Sequence, residues 1–170
     1  ITGSGPSGLA SAYAAAKNGA RVILAEDKPR FGGSLLTSDV NIGNQTGVEW
    51  TEKIIAELKS MPNVTVKNRS QVFGYYDHNM LVMSERISDH LPKTQKYLPK
   101  QRLWYIRANE VLISSGSIER PLVFGNNDTP GVMLSSAAKE YMKVYGVLVG
   151  KKPLIFTNND SGYELSLIHI

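Results

Sequence analysis

The sequence predicts an α/β domain built on a parallel sheet. Apolar residues at helical spacing predict a first helix, which is followed by a buried apolar strand, Arg21–Ala25. A second amphipathic helix, Val48–Ser60, is followed by a second short strand, Val64–Val66. This alternation is typical of parallel sheets, because each helix carries the chain back across a face of the sheet.

The first turn of the domain carries three glycines at the spacing G-x-G-x-x-G. The chain opens "ITGSGPSGLASAYAAAKNGARVILAED", in which Ile1 and Thr2 have the character of a strand end. Pro6 suits the first turn of a helix, and Asn18 followed by Gly19 suits its end. Strand end, glycine turn, helix and strand form the context in which this spacing predicts dinucleotide binding.

Each glycine of the turn has a separate role. Gly3 allows the tight turn out of the strand, Gly5 lets a pyrophosphate approach the backbone, and Gly8 lets the helix pack closely on the strand. The N-terminus of the helix offers free N–H groups and a partial positive charge to the phosphates. We expect the backbone of Ser7, which lies in this turn, to face the cofactor.

An acidic strand end supports the same site. Glu26 stands eighteen residues after Gly8. Its carboxylate can accept hydrogen bonds from the adenosine ribose and would repel the 2′-phosphate of NADP. Asp27 and Lys28 follow on the same rim. The alternative is a plain tight turn beside a solvated glutamate, but the complete strand–turn–helix–strand context favours dinucleotide binding.

A second glycine pair follows in "EDKPRFGGSLL". Gly32 and Gly33 would let this loop bend over the pyrophosphate, and Ser34 could donate its hydroxyl; a plain surface loop is the alternative. The pair is typical of the flavoprotein version of this fold. Flavin disulfide reductases carry a redox-active cysteine pair just after such a loop, and the absence of cysteine excludes that chemistry here.

The middle of the chain predicts an antiparallel insertion. Strands are expected at Gln71–Tyr76 and Met80–Met83, around the turn Asp77-His78-Asn79, and then at Arg102–Arg107 and Glu110–Ser114. The turn Ser114-Ser115-Gly116 resembles the A-T-G turn that closes a flavin-type dinucleotide domain.

The last part of the chain predicts a helix, Ser135–Tyr145, closed by Gly146, and a final buried strand, Pro153–Thr157. Flavin reductases of this architecture carry a second glycine loop after that strand, whereas this chain has "TNNDSGYE". We therefore expect no dinucleotide there. These polar residues also suit the cap of a following helix.

The predicted fold class is thus a Rossmann-like dinucleotide-binding domain of the flavin-reductase type. It combines a parallel sheet and helices with an inserted β-hairpin or meander. Residues 1–125 form this domain, and residues 126–170 begin a second, incomplete Rossmann-like domain. We expect truncation at both ends, since the first strand starts at Ile1 and the strands expected after Tyr163 are absent.

Composition excludes several other classes. The 170 residues carry a formal charge of +4, and no apolar run approaches the roughly 20 residues that span a bilayer. The densest basic cluster, with Lys93, Lys96, Lys100 and Arg102, is interpreted as a solvated loop and not as a nucleic-acid site. The three histidines are far apart and give no metal-ligand spacing, so no metal site is expected. From the apolar runs and the basic cluster, we expect neither a membrane nor a nucleic-acid partner.

Longer stretches of the chain resemble the alpha subunits of heterotetrameric sarcosine oxidases. The stretches are "GSGPSGLASAYAAAKNGARVILAEDKPRFGGSLL", "MPNVTVKNRSQVFGYYDHNMLVMSERISDHLP", "QRLWYIRANEVLISSGSIERPLVFGNNDTPGVMLSSA" and "FTNNDSGY". Related amine- and opine-oxidising subunits share the domain. "VFGYYDHN" and the "IERPLVF" stretch favour sarcosine oxidase.

The resemblance implies an oxidoreductase acting on the CH–NH group of donors. Sarcosine is demethylated oxidatively to glycine with hydrogen peroxide, and tetrahydrofolate takes the one-carbon unit. The resemblance also implies beta, gamma and delta-type partner subunits in the cytoplasm. NAD would lie in this domain, while FAD and FMN would be held elsewhere in the complex, as would sarcosine and tetrahydrofolate.

The resemblance also assigns positions to the cofactor contacts. On matching positions NAD would be contacted by Ser7, Glu26, Asp27, Lys28, Ser34 and Val72, the last through its backbone at the adenine. No catalytic residue is expected, because this NAD would be structural. Two alternatives stay open: an FAD-dependent reductase using the same turn, and a scaffold protein whose site has decayed.

Overall fold

The computed structural model describes residues 1–92 and 97–169. Lys93 and Lys96 of the predicted basic cluster lie outside the described residues. The chain divides into two compact units, Ile1–Gly116 and Ser117–Ile170. The division lies nine residues before the predicted boundary at residue 125. The nature of the second unit as the start of another Rossmann-like domain stays a prediction. None of the helices in the described part of the chain is long and apolar enough to cross a membrane.

The first unit begins with the predicted helix and strand. Helix α1 spans Pro6–Lys17 with proline in its first turn, ends at Asn18, and is followed by strand β1, Val22–Ala25. Pro6 fits there because the first helical N–H has no partner inside the helix. The predicted order of glycine turn, helix and strand is confirmed.

The second helix–strand pair also agrees with prediction. After two short strands, β2 (Asn41–Ile42) and β3 (Gln45–Thr46), helix α2 spans Gly47–Ser60 and strand β4 spans Val64–Lys67. Thr46 and Glu49 form a reciprocal capping box, which satisfies N–H groups at the start of α2.

The parallel sheet has the strand order of a dinucleotide-binding fold. Strand β1 pairs in parallel with β4, with Val22 opposite Val64. Thr2 forms parallel bridges to Ala25 on one side and to Ile113 on the other. The segment at Thr2 therefore lies in the middle of the sheet, between β1 on one side and the segment at Ile113 on the other. The glycine turn leaves the sheet at this central position, where such folds bind their ligands.

The core lies between this sheet and the two helices. Leu9 of α1, Leu24 of β1 and Leu58 of α2 are completely buried. They pack in one cluster that also contains Ala12, Ala16, Val22, Ile54 and Ile55. Burial of these side chains fixes α1 against the sheet, and with it the position of the glycine turn.

The antiparallel insertion is a three-stranded meander, as predicted. Strands β5 (Ser70–Tyr76), β6 (Met80–Arg86) and β7 (Gln101–Arg107) pair in the order β5-β6-β7. The predicted turn Asp77–Asn79 joins the first two strands.

Two predicted strands are wrong. Within Glu110–Ser114 only Ile113 forms a bridge, to Thr2, and the segment is not a continuous strand. Pro153–Thr157 forms no strand, and its Leu154 and Phe156 side chains are mostly exposed. Both segments have apolar strand-like sequences, but a strand needs a partner for its backbone hydrogen bonds, and no described residue pairs with Pro153–Thr157.

The second unit contains helix α3, Ser135–Tyr145, and helix α4, Ser161–His169. Gly146 ends α3 in the left-handed conformation, as predicted. A remote carboxylate caps the other end of α3: Glu119 accepts hydrogen bonds from the Ser135 hydroxyl and the Ser136 N–H, both at 2.8 Å. Partial burial alone would raise the pKa of Glu119, but these hydrogen bonds hold it below its ordinary value.

Replacing Glu119 with Gln should loosen α3. We expect amide exchange in the α3 segment of the full-length protein to rise about fivefold near neutral pH, the size of a lost N-cap. Because the pKa of Glu119 is lower in the folded than in the unfolded protein, its ionised carboxylate stabilises the folded state at pH values above the unfolded-state pKa. This contribution is lost as the pH falls through the lower, folded-state pKa. The difference from wild type should therefore shrink in acid.

Hydrogen–deuterium exchange, corrected for intrinsic rates at each pH, measures this difference. Asp128→Asn is the control, because Asp128 is exposed in the same unit and loses the same charge. A pH-independent difference would contradict the assignment of the cap to the ionised carboxylate.

Candidate dinucleotide site

The glycine turn is set by two contacts that leave no room for side chains. Gly3 has a φ of +92°, and a Cβ there would lie 2.2 Å from the carbonyl oxygen of Ser114. A Cβ on Gly8 would lie 2.0 Å from the carbonyl oxygen of Gly3. The start of α1 therefore packs directly on the end of the first strand, as the spacing predicts.

Gly5 differs from the other two glycines because its surroundings are open. A Cβ there would have no other heavy atom within 4 Å, apart from its chain neighbours. Gly5 is also the N-cap of α1, where no described side chain caps the helix and the first turn has no acidic residue. The N–H groups of Ser7 and Gly8 in that turn are thus available to an anion, with the positive end of the helix dipole behind them.

The second glycine pair lies against this turn. Gly32 and Gly33 have φ values of +122° and +54°, and a Cβ on Gly33 would lie 2.9 Å from the Cα of Gly5. The Gly32 N–H donates to the carbonyl oxygen of Ser4 at 3.1 Å. The loop is therefore part of the site and not a detached surface loop. Gly33 is exposed and adjoins the open position at Gly5.

Glu26 is buried at the end of β1, with only 6% of its surface exposed. Its Oε2 accepts hydrogen bonds from the Ser4 N–H at 2.9 Å and the Ser4 hydroxyl at 2.5 Å. Its Oε1 accepts one from the Lys28 N–H at 3.0 Å. The interpretation of Glu26 as a solvated strand end is thereby excluded.

The protonation of Glu26 reflects opposing influences. Burial, together with the adjacent Asp27 carboxyl, raises the pKa of Glu26 above its ordinary value, while the hydrogen bonds from Ser4 and Lys28 act in the opposite direction. The carboxyl thus lies in a place where its charge is costly unless donors surround it. Donor groups of a ligand would stabilise the charged form further.

The remaining predicted residues lie at the rim. Asp27, Lys28 and Ser34 are exposed. Ser34 is in a short 3₁₀ turn, 33–36, directly after the glycine pair. Val72 is on β5, opposite Met83, two residues beyond Ser70, whose N–H donates to the Glu26 carbonyl at 2.7 Å. The structure thus joins the glycines, the second loop and Glu26 closely, and places the other residues around them.

Sequence reasoning missed Ser4. Its side chain is completely buried and contacts both Glu26 and the second loop. The G-x-G spacing leaves this position free, so the pattern itself carries no signal for it. The sequence indicates this role only through a small polar residue between two required glycines, 22 residues before the acid at the strand end.

Comparisons with known proteins agree with this geometry. A family described as an NAD(P)-binding Rossmann-like domain matches residues 1–66. The sarcosine oxidase alpha subunit of Rhizobium meliloti (strain 1021) is 45% identical over 98% of the chain, and that of Corynebacterium sp. (strain P-1) is 40% identical over 97%. The chain is thus similar over nearly its whole length to a part of the sarcosine oxidase alpha subunits. It spans 17% of the length of these two relatives.

Two further proteins are similar at lower sequence identity. An opine oxidase subunit from Agrobacterium tumefaciens (strain Ach5) is 26% identical over 92% of the chain, which covers 32% of that relative. The crystal structure of L-proline dehydrogenase from P. horikoshii superimposes with a TM-score of 0.69 over 89% of this chain and 29% of that one, at 23% identity. The structural likeness confirms the Rossmann-like fold. The predicted resemblance to sarcosine oxidase alpha subunits is confirmed by the sequence relatives.

Two alanine substitutions should separate folding from binding. Gly8→Ala places a Cβ against backbone, and we expect a loss of about 3 kcal/mol in stability. Gly5→Ala meets open space at an ordinary φ of −66°, so we expect less than about 1 kcal/mol, the difference between Gly and Ala at an N-cap.

Nucleotide retention by the purified full-length protein is the second measurement. Gly5→Ala should lose most of its bound nucleotide although it folds, since the Cβ fills the space that a pyrophosphate would occupy. A Gly5→Ala protein with full nucleotide content would contradict the placement of the phosphates at this turn.

Proposed function

We propose that this chain holds NAD as a structural group within the alpha subunit of a sarcosine oxidase complex. The observation that carries the proposal is the open position at Gly5, between an uncapped helix N-terminus and the loop of Gly32 and Gly33. Helix N–H groups and close backbone approach are the two requirements of a pyrophosphate site.

The adenosine half would extend from this point toward the end of β1. Glu26 has two oxygens with donors already on them, and one further acceptor position on Oε1 for a ribose hydroxyl. A 2′-phosphate would meet a buried carboxylate, which disfavours NADP. Asp27 and Lys28 would adjoin the ribose, Ser34 the pyrophosphate, and the Val72 backbone the adenine.

The choice between NAD and FAD does not follow from this geometry, since both carry the same ADP half. Two observations favour NAD. Two relatives that match nearly the whole chain are sarcosine oxidase alpha subunits, and the resemblance to that family implies NAD in this domain. In addition, an FAD reductase of this architecture takes electrons from NADH at a second glycine loop, and "TNNDSGYE" places Asn158, Asn159 and Asp160, all exposed, where those glycines would stand.

The activity proposed for the complex is the oxidative demethylation of sarcosine. The amine is oxidised, oxygen is reduced to hydrogen peroxide, and tetrahydrofolate takes the one-carbon unit as glycine is released. The partners would be beta, gamma and delta-type subunits, with FAD, FMN and both substrates bound outside this chain. We assign no catalytic residue here, because the groups around the glycine turn bind a dinucleotide and offer no acid–base pair for the amine.

An FAD-dependent oxidoreductase using the same turn is the alternative function. It is favoured by the glycine pair at Gly32 and Gly33, which is typical of flavoproteins. The open space at Gly5 and the hydrogen bonds at Glu26 argue against the other alternative, a scaffold protein that has lost its dinucleotide site.

Nucleotide analysis tests the proposal. The full-length protein is purified with its co-purifying subunits, and the subunits are separated without denaturing them. Each subunit is then denatured by itself, and its released nucleotides are identified by chromatography and mass. We expect one NAD for each copy of the polypeptide that contains this chain. A second measurement adds sarcosine without oxygen: the flavin should be reduced, and the absorbance of NADH should not appear.

Three results would count against the proposal. FAD released from the polypeptide that contains this chain would establish the flavoprotein alternative. Formation of NADH on addition of sarcosine would show that the NAD is reactive and not structural. Absence of any nucleotide from this polypeptide would support the decayed scaffold.

A further inference from the structure

The hydroxyl of Ser4 lies where three parts of the site meet. Ser4 belongs to the glycine turn and is completely buried. Its Oγ is 2.5 Å from Glu26 Oε2 at the end of β1, and 3.3 Å from the backbone nitrogen of Gly32 in the second loop. One side chain thus connects the predicted pyrophosphate region with the predicted ribose acceptor.

The directions of these hydrogen bonds follow from the chemistry of the groups. The Gly32 N–H can only donate, so Oγ accepts from it. A hydroxyl has a single hydrogen, which leaves that hydrogen for Glu26 Oε2. The backbone N–H of Ser4 donates to the same oxygen at 2.9 Å. Two donors from one residue therefore hold Oε2 toward the glycine turn.

The other oxygen of Glu26 is left for a ligand. A carboxylate offers about four acceptor positions, two on each oxygen. On Oε2 both are used by Ser4, whereas on Oε1 the hydrogen bonds found among the described residues fill one, with the Lys28 N–H at 3.0 Å. Because the carboxyl group is planar and rigid, fixing Oε2 also fixes the direction in which Oε1 points.

We propose that Ser4 is a positioning residue for ribose recognition: its hydroxyl orients the Glu26 carboxylate so that Oε1 accepts a hydrogen bond from the 2′-hydroxyl of the adenosine ribose. The inference rests on the proposed function only in requiring a bound adenine dinucleotide, and it holds for NAD and FAD alike. Ser4 does not touch the ligand and acts through Glu26.

Substitution of Ser4 with Ala should affect this function without dismantling the loop. The Gly32 N–H keeps a hydrogen bond to the Ser4 carbonyl at 3.1 Å, which an alanine retains. The carboxylate loses a hydroxyl donor in a buried place and is held by one backbone N–H on that side. Oε1 then has a wider range of directions, and the ribose hydroxyl gains less from it.

The test uses ADP, which is the part common to NAD and FAD, and 2′-deoxy-ADP, which lacks one ribose hydroxyl. Full-length protein stripped of its nucleotide is titrated with each by calorimetry. We expect wild type to prefer ADP about tenfold, the effect of one hydrogen bond to a charged acceptor. In Ser4→Ala this preference should fall to about twofold or less.

Two further variants separate positioning from folding. Ser88→Ala removes another completely buried hydroxyl, one that donates to the Pro99 carbonyl at 3.0 Å away from the glycine turn, and should keep the wild-type preference. Ser4→Thr retains the hydroxyl and should restore most of the preference. Thermal unfolding of all variants checks that the comparison is between folded proteins.

The outcomes bear on different claims. A Ser4→Ala protein with an unchanged preference for ADP would overturn the inference, as would a folded Ser4→Thr protein that behaves like Ser4→Ala. Wild type that binds both nucleotides equally would show that Glu26 does not recognise the 2′-hydroxyl of the ribose, and would also overturn the inference. Wild type that binds neither nucleotide would overturn the proposed function itself.

Discussion

The close approach of Gly8 to Gly3 sets the geometry of the whole site. With no Cβ on Gly8, the first turn of α1 approaches the carbonyl of Gly3, where a side chain would come within 2.0 Å. This approach places the helix N-terminus at the end of the central strand. The free N–H groups of the helix and the open position at Gly5 follow from that placement.

A second constraint is the burial of a carboxyl group beside the turn. Glu26 is nearly inaccessible, and a charge there is costly unless hydrogen bonds surround it. Ser4 and Lys28 supply three of these bonds. The same bonds hold the glycine turn to the end of β1, so the residue proposed to recognise the ribose also stabilises the local fold. The proposed phosphate and ribose sites are thereby fixed relative to one another before any ligand binds.

The elements predicted correctly are those whose signals are local. Pro6 and Gly19 mark the ends of α1 through backbone chemistry that neighbouring residues decide. The β5-β6-β7 meander followed from alternation and an evident turn. The glycine turn was predictable for the same reason, because a Cβ on Gly8 would meet the backbone of Gly3, five residues earlier in the chain.

Features that depend on distant partners could not be predicted in this way. Pro153–Thr157 has the apolar character of a buried strand, yet strand formation depends on a neighbouring strand, and Leu154 is exposed. Glu110–Ser114 contributes a single bridge for the same reason. Ser4 was missed because its importance arises from Glu26 and Gly32, which are 22 and 28 residues away along the chain.

A crystal structure of the full-length protein with its nucleotide retained would test the proposed site most directly. We predict a dinucleotide with its pyrophosphate over Gly5 and the N-terminus of α1, and an adenosine ribose hydroxyl within hydrogen-bonding distance of Glu26 Oε1. We also predict that the nicotinamide contacts no sarcosine-binding residue. A nucleotide bound elsewhere, with the turn at Gly3–Gly8 empty, would contradict this placement of the cofactor.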